Sequence, residues 1–423
     1  MTPGVILLAP PWPRSGSGNL FAAQAAAHAR RGARVLLLLT PFGRGFSRSK
    51  GERWDDAVSS MRYSGVAGVC YPLAGRGRVR GYLQWLRAGR DDALAILARY
   101  AASGRLPPEL AAFLSSARID LVHANHIFSI PLAQRLAGIV HSLQGRRPRI
   151  LLDTHDIQSD AFRVRQKKNL YSRRLDRHED LLRTELALCD QADALVHLTE
   201  DDCDFFATRL PRKRHALIPP TLDPAGEAEL IRRRGHRPPA GSRVVYIGNQ
   251  HEANLVTVRW LLREVLPLAG PAAAGRLRFA GAIGGLLRRR DPELFERHAP
   301  LFLGELPSVF DLYAEAQAVL APAVAGTGTS IKLVEALCAG KPVLTTSLGL
   351  RGLPAREMTG VDVHVHDSPA EFAEALTRLA GGAGSVPSFS PANAALYDRL
   401  FSNVRYFETL DGLLDGKTQF FTA

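Results

Sequence analysis

Cysteine is scarce and scattered. Cys70, Cys189, Cys203 and Cys338 are the only four in 423 residues, with no CxxC pair and no neighbouring histidine. That spacing excludes a disulfide framework and a sequence-local zinc site, and leaves buried free thiols as the expectation. Long hydrophobic runs are missing too. The longest strong one, Val35 to Leu39, is strand-sized, far below the roughly 20 residues that cross a bilayer. The first residues lack a basic n-region, and Pro10, Pro11 and Pro13 interrupt the apolar stretch behind them, so no signal peptide is expected and a cytoplasmic location is. Charged residues make up only 22% against 46% hydrophobic, which argues against a disordered chain and provides core for two or three domains.

Lysine is rare as well, 7 of 54 basic residues, so the net charge of +13 is carried by arginine. A composition rich in Arg, Ala, Gly and Pro accounts for part of it. The distribution is nevertheless lopsided: residues 1–119 hold 17 basic and 6 acidic side chains, a local +11. Such asymmetry points the first part of the chain towards something anionic.

What is present is a repeating strand and helix pattern. Short continuous apolar runs at Val5 to Ala9, Val35 to Leu39, Gly68 to Pro72, Leu121 to Ala124, Ile150 to Asp153, Ala194 to Leu198 and Ala216 to Ile218 read as parallel strands buried on both faces. Helices are expected between them, at Asn19 to Arg31, Tyr82 to Tyr100, Ser129 to Leu136 and Asn169 to Cys189. A Pro, Gly and charge-rich stretch, 219–241, then reads as a linker. A second series follows, with strands at Val244 to Ile247, Leu277 to Ala280, Leu301 to Leu303, Ala318 to Ala321 and Pro342 to Thr345. Two closing helical segments come after a Gly/Ser/Pro stretch at 381–388. The fold class is α/β, two doubly wound Rossmann-like domains over 1–218 and 242–385 with 386–423 as a closing segment. Ligands are expected at the carboxyl ends of the strands, in a cleft between the domains.

Two loops stand out. Gly16 and Gly18, between the first strand and its helix, fit either an ordinary turn or a contact to phosphate or acceptor; Phe21 replaces the third glycine of a dinucleotide fingerprint, which argues against NAD. The second loop, Ala325 to Ser330, runs into a helix carrying Lys332 and Glu335. Gly326, Thr327, Gly328, Thr329 and Ser330 can offer backbone amides to an anion. Lys332 and Glu335, three apart on one helix face, can meet a phosphate and two sugar hydroxyls.

This second segment resembles the donor-binding motif of retaining glycosyltransferases of family 4, the group 1 transferases of GT-B fold. The similarity extends to Gly248 to Asn254, to Asp120, His123 and His126, to Asp153 to Asp156, and to Thr199 to Asp202. The resemblance implies a nucleotide-diphosphate sugar as donor substrate, no cofactor, no metal, and transfer with retention to a hydroxyl of a glycan or lipid-linked acceptor. Its second motif glutamate falls on Glu335, implying ribose binding. Its first falls on Thr327, a departure in the residue that would meet the transferred sugar. The family's usual Arg and Lys are absent from Gly248 to Asn254, which leaves Lys332 as the diphosphate cation. His126 would orient the acceptor hydroxyl, with Asn125, His155 and Asp156 as acceptor-side candidates, although Asp156 also fits a turn cap. The closing helices would cross back onto the first domain.

Asp202 and Asp204 form a DxD, but Thr199 before them reads as an N-cap and places the carboxylates in a first helical turn rather than on a metal. Basic clusters at Arg163 to Arg177 and Arg80 to Arg99 fit a solvated face or a peripheral contact with a membrane surface; nucleic acid is not expected, since no nucleic-acid fold accompanies them. Two other functions share the same cleft: a nucleotide-sugar epimerase, and a non-catalytic nucleotide-sugar-binding relative.

Overall fold

Continuous Val, Leu and Ile runs have no polar face to turn to water, and they become the strands of two parallel sheets in the computed structural model of the chain. The structure describes residues 1–13, 15–40, 51–71, 92–102, 105–165, 177–236, 243–326, 328–381 and 387–417. The chain divides into two units, Met1–Pro219 with Phe407–Ala423, and Pro220–Tyr406.

In the first unit β1 (Thr2–Ala9), β2 (Arg34–Leu39), β3 (Val66–Cys70), β4 (Ala117–Asn125), β5 (Arg149–Asp153), β6 (Ala194–His197) and β7 (Arg214–Leu217) form one sheet in the order β3-β2-β1-β4-β5-β6-β7. Every pairing is parallel. The period of two sends alternate residues to opposite cores: Ile6, Leu8, Val122 and Leu152 enter one, Leu7, Ala9, Val35 and Leu37 the other. The four cysteines are free and buried, as expected.

The second unit repeats the plan with β8 (Arg243–Ile247), β9 (Leu277–Ala280), β10 (Phe302–Gly304), β11 (Ala316–Leu320), β12 (Val343–Thr345) and β13 (Val363–Val365), ordered β10-β9-β8-β11-β12-β13. In both sheets the order reverses beside the first strand, between β1 and β4 and between β8 and β11. Open α/β sheets place ligands at such switch points, outside the carboxyl ends of the strands.

Three expectations change. The stretch read as a linker contains a helix, Pro224–Arg232, capped by Asp223 and belonging to the second unit. The closing helix Pro391–Leu400 also stays with the second unit instead of crossing back. Asn393 donates to the Lys341 carbonyl, and Tyr397 donates to Glu227, whose carboxylate also accepts from Asn403. Only from Phe407 onward does the chain join the first unit, within the helix Asn403–Leu414. Finally, the edge strand β13 was not anticipated. The expected helix from Tyr82 is described only over Ala93–Ala102, and that from Asn169 only over His178–Cys189; residues 72–91 and 166–176 lie outside the described residues. No described helix is long and apolar enough to cross a membrane.

Candidate functional site

The second unit's loop follows β11, whose residues are all buried. Gly326 and Gly328 adopt φ of 121° and 83°, a region glycine enters without steric cost. A Cβ on Gly326 would lie 3.2 Å from that of Ala253, so the loop packs against the start of the helix Glu252–Trp260. Arg351 donates to the Gly326 carbonyl at 3.0 Å. Ser330 then opens the helix Ile331–Cys338 in an extended conformation, and its side chain makes no capping bond. The Thr329 hydroxyl is buried with no partner among the described residues. An uncapped helix start with an unsatisfied hydroxyl beside it suits an anionic ligand. Thr327 lies outside the described residues.

Lys332 donates to Asn254 Oδ1 at 2.8 Å and stands 4.9 Å over the Tyr246 ring. Burial lowers its pKa to about 8, opposed by the charge of Glu335. Glu335 accepts the Tyr313 hydroxyl at 2.7 Å; burial raises its pKa, while Tyr313 and Lys332 pull it down. Both ends of the Lys332 and Glu335 pair are thus held by neutral partners. No direct ion pair joins the two among the described residues. The ammonium and the carboxylate stay oriented without cancelling each other, as binding an anion and a polyol side by side requires. Asn254, Tyr246, Tyr313 and Arg351 carried no role in the sequence reading.

In the first unit, Ser15 caps the helix Gly16–Arg30: its Oγ accepts from Gly18 N at 3.1 Å and donates to Trp12 O at 2.8 Å. The Gly18 amide, expected to face a ligand, is therefore engaged within the loop. A Cβ there would sit 2.6 Å from the Trp12 and Pro13 carbonyl oxygens, so the glycine serves close packing. Gly16 is the first residue of the helix.

Asn125 and Asp153 are register partners at the carboxyl ends of β4 and β5. His126, one residue beyond Asn125, and His155, two beyond Asp153, are the only described non-glycine residues with positive φ, 61° and 65°. Such backbone costs roughly 1–3 kcal/mol per residue and is found where the surroundings over-determine it. Their rings lie parallel, centroids 3.9 Å apart. Asp156 is half-buried and accepts from Gln158. The two amides opening the helix Gln158–Arg165 donate to the buried Glu185. His123 faces the interior, as expected, 2.9 Å from His28.

Thr199 caps its helix by accepting from Asp202 N at 3.0 Å, which makes Glu200, Asp201 and Asp202 first-turn carboxylates. Of the basic clusters, Lys167, Lys168, Arg173 and Arg174, with residues 80–90, lie outside the described residues. Part of the N-terminal charge is met inside the unit: Arg30 and Arg31 pair with Asp411, and Arg31 with Asp415, at 2.6–3.1 Å.

Solved structures share this architecture. A sucrose-phosphate synthase from Thermosynechococcus elongatus matches 98% of this chain and 98% of its own at 16% identity, with a TM-score of 0.62. The apo structure of OtsA matches 97% and 98% at 14% identity, with a TM-score of 0.60. The fold is GT-B. Anabaena HepE, solved with UDP and glucose, aligns over 98% of this chain and 100% of its own at 17% identity and a TM-score of 0.56. Within the GT-B chain, residues 241–381 match the family described as Glycosyl transferases group 1. That span covers β8 to β13, the glycine loop, Lys332 and Glu335. No curated protein matches the chain in sequence.

Proposed function

We propose that this protein is a metal-independent, retaining glycosyltransferase of the family 4 type. It would move a sugar from a nucleoside diphosphate to a hydroxyl of a glycan or lipid-linked acceptor. The bond from the sugar's anomeric carbon to the diphosphate breaks, one to the acceptor oxygen forms, and the acceptor's proton leaves with the products. Glu335 would accept the ribose hydroxyls, Thr329, Ser330 and Lys332 would hold the phosphates, and Lys332 would stabilise the charge that grows on the leaving diphosphate. His126, with Asn125 and His155 beside it, would orient the acceptor. The basic N-terminal region would favour an anionic acceptor or a membrane surface.

The observation that carries this reading is the uncapped helix start with Lys332 and Glu335 side by side on it, inside the span that matches group 1 glycosyl transferases. UDP-glucose is the first donor to test because HepE was solved with UDP and glucose. UDP-, GDP- and ADP-glucose screened at millimolar concentration should include one that raises the melting temperature. A ligand at a hundred times its Kd adds about 2.7 kcal/mol to the folded state. Absence of stabilisation by all three would count against a donor site. Formation of an epimeric nucleotide sugar without acceptor, or saturable binding without turnover across acceptors, would favour the two other functions.

Lys332 makes that affinity pH-dependent. With its pKa lowered to about 8, it is charged below that pH and neutral above it, and a diphosphate binds the charged form better. UDP affinity should be flat from pH 6 to 7.5 and fall up to about tenfold by pH 9. Lys332→Arg should remove the fall, since guanidinium keeps its charge. Calorimetric titration at constant ionic strength reads both; an unchanged slope in the arginine variant would assign the dependence elsewhere.

A further inference from the structure

Among the described residues, a closed buried polar network joins Asn125 to two residues given no role above, Gln24 and Asp153, beside the stacked His126 and His155. Gln24, in the helix Gly16–Arg30, and Asn125 and Asp153, at the ends of β4 and β5, are each 0% exposed. Their bonds close on one another. Asn125 Nδ2 donates to the Leu8 carbonyl at 3.0 Å and to Gln24 Oε1 at 2.7 Å. Gln24 Nε2 donates to Asn125 Oδ1 at 3.0 Å and to Asp153 Oδ2 at 3.1 Å. Asp153 Oδ1 accepts the His155 backbone amide at 3.3 Å.

This closure settles a proton. The Leu8 carbonyl can only accept, so the Asn125 amide nitrogen must face it and the Asn125 oxygen must face His155. His155 Nε2 lies 2.8 Å from that oxygen, which can only accept, so Nε2 carries the hydrogen. Burial lowers the His155 pKa to about 3, which keeps the ring neutral with Nδ1 bare. The ring so fixed presents its face to His126. Phe128 also lies parallel to His126, centroids 5.2 Å apart at 8°, and Trp12 meets it edge-on at 5.1 Å. Phe21 sets its edge against His155 in the same way, at 5.6 Å.

We propose that Gln24 and Asp153 are positioning residues for the acceptor-side histidines: with Asn125 they lock His155 into one tautomer and backbone conformation, and the face of His155 sets the ring of His126. The inference rests on the proposed acceptor role of His126 for its meaning, but not for its test. Asp153 meets His126 through its backbone carbonyl, which accepts the His126 amide at 2.9 Å; side-chain substitutions at Gln24 and Asp153 leave that bond in place, so their effect on the His126 ring is read through His155.

The test uses the full chain labelled with 15N-histidine, in which His126→Gln and His155→Gln assign the two imidazoles by loss of signal. In the wild type, His155 should show the neutral Nε2–H tautomer without titration from pH 5 to 8. An Nδ1–H tautomer, or an ordinary titration near 6.5, would overturn the proposal whatever the variants do. In Gln24→Leu, His155 should begin to titrate within that window and the His126 ring nitrogens should shift, at a pH where the melting transition shows the protein folded. Asp153→Asn keeps the shape and should move the same two signals, which covers the case in which Gln24→Leu does not fold. Both signals unchanged in a folded variant would reduce Gln24 and Asp153 to packing. The acceptor reading fails separately: His126→Gln with wild-type turnover of the stabilising nucleotide sugar would remove His126 from the reaction while leaving the positioning intact.

Discussion

Glu335→Ala should lower kcat/KM, for whichever nucleotide sugar stabilises the wild type, by at least a hundredfold. The proposed carboxylate accepts two ribose hydroxyls, and charge-assisted bonds of this kind contribute roughly 1.5–3 kcal/mol each. Losing about 3 kcal/mol corresponds to a factor on the order of a hundred. The fold should survive. Glu335 is partly buried and its raised pKa shows that desolvation disfavours its charge, so removing it relieves one cost while stranding the Tyr313 hydroxyl, which costs about 1–3 kcal/mol. A modest drop in melting temperature with near-complete loss of turnover is the expected pair of readings. Tyr313→Phe separates them: it should keep most of the turnover, because the carboxylate remains. Wild-type turnover in Glu335→Ala, measured by nucleoside diphosphate release, would remove the helix Ile331–Cys338 from the donor site.

The first unit should lose stability as the pH falls from 7 to 5, most steeply below 6. Four of its histidines are buried and paired with neutral groups. His28 lies against His123, and His197 lies between His215 and Thr154. Burial lowers His28 to about 4 and His155 and His197 to about 3, and holds His123 well below its usual value. An unfolded chain protonates each near 6.5, so over this window it binds protons that the fold refuses, and stability falls with pH. Two buried carboxyls act in the opposite sense. Asp153 and Glu185 are raised by burial to about 7, so the fold keeps protons that the unfolded chain has released, a contribution that is lost as pH rises through 7. At pH 7 the six groups roughly cancel, each raised carboxyl being about half protonated and each unfolded histidine about a quarter, and by pH 5 the histidines lead by about two protons. At about 1.4 kcal/mol per proton and pH unit the loss is about 3 kcal/mol across the window, most of it below pH 6, and lowers the transition by several degrees. Calorimetry at pH 5, 6 and 7 at fixed ionic strength tests it; a transition that holds or rises on acidification would mean that the pairs are solvated or charged.

The same burial explains what the sequence disclosed. Strands of a parallel sheet are covered on both faces, so nearly every position is apolar and the run stands out, as with Val35 to Leu39. β13 escaped notice because it is a half-buried edge of three residues centred on His364. The helix Ile283–Arg290, eight residues long, ends in three arginines that mask its apolar face in the sequence. The proposed donor loop was legible because its chemistry is local: Gly326 to Glu335 fall within ten residues. Tyr313, Asn254, Tyr246 and Arg351 come from separate segments and meet that loop only through the sheet order, in which Tyr246 pairs with Leu320. Gln24 sits among alanines in a helix with little polar patterning, and nothing in its own neighbourhood points to Asn125, 101 residues away. Gly18 fits the turn reading of its loop, since an amide that looks free in a glycine loop is taken up by Ser15.

The first unit is interrupted in sequence, and this orders its birth. Its seventh strand ends at Leu217, yet the segment that completes it begins at Phe407, after the whole second unit has been synthesised. At typical elongation rates of 5–20 residues per second, the roughly 190 intervening residues take about 10–40 seconds. Throughout that interval Arg30 and Arg31 await Asp411 and Asp415, and the Arg30 guanidinium awaits the Phe407 ring. The nascent chain therefore finishes its N-terminal unit only after the second unit has been made, when the helix Asn403–Leu414 arrives to seal it.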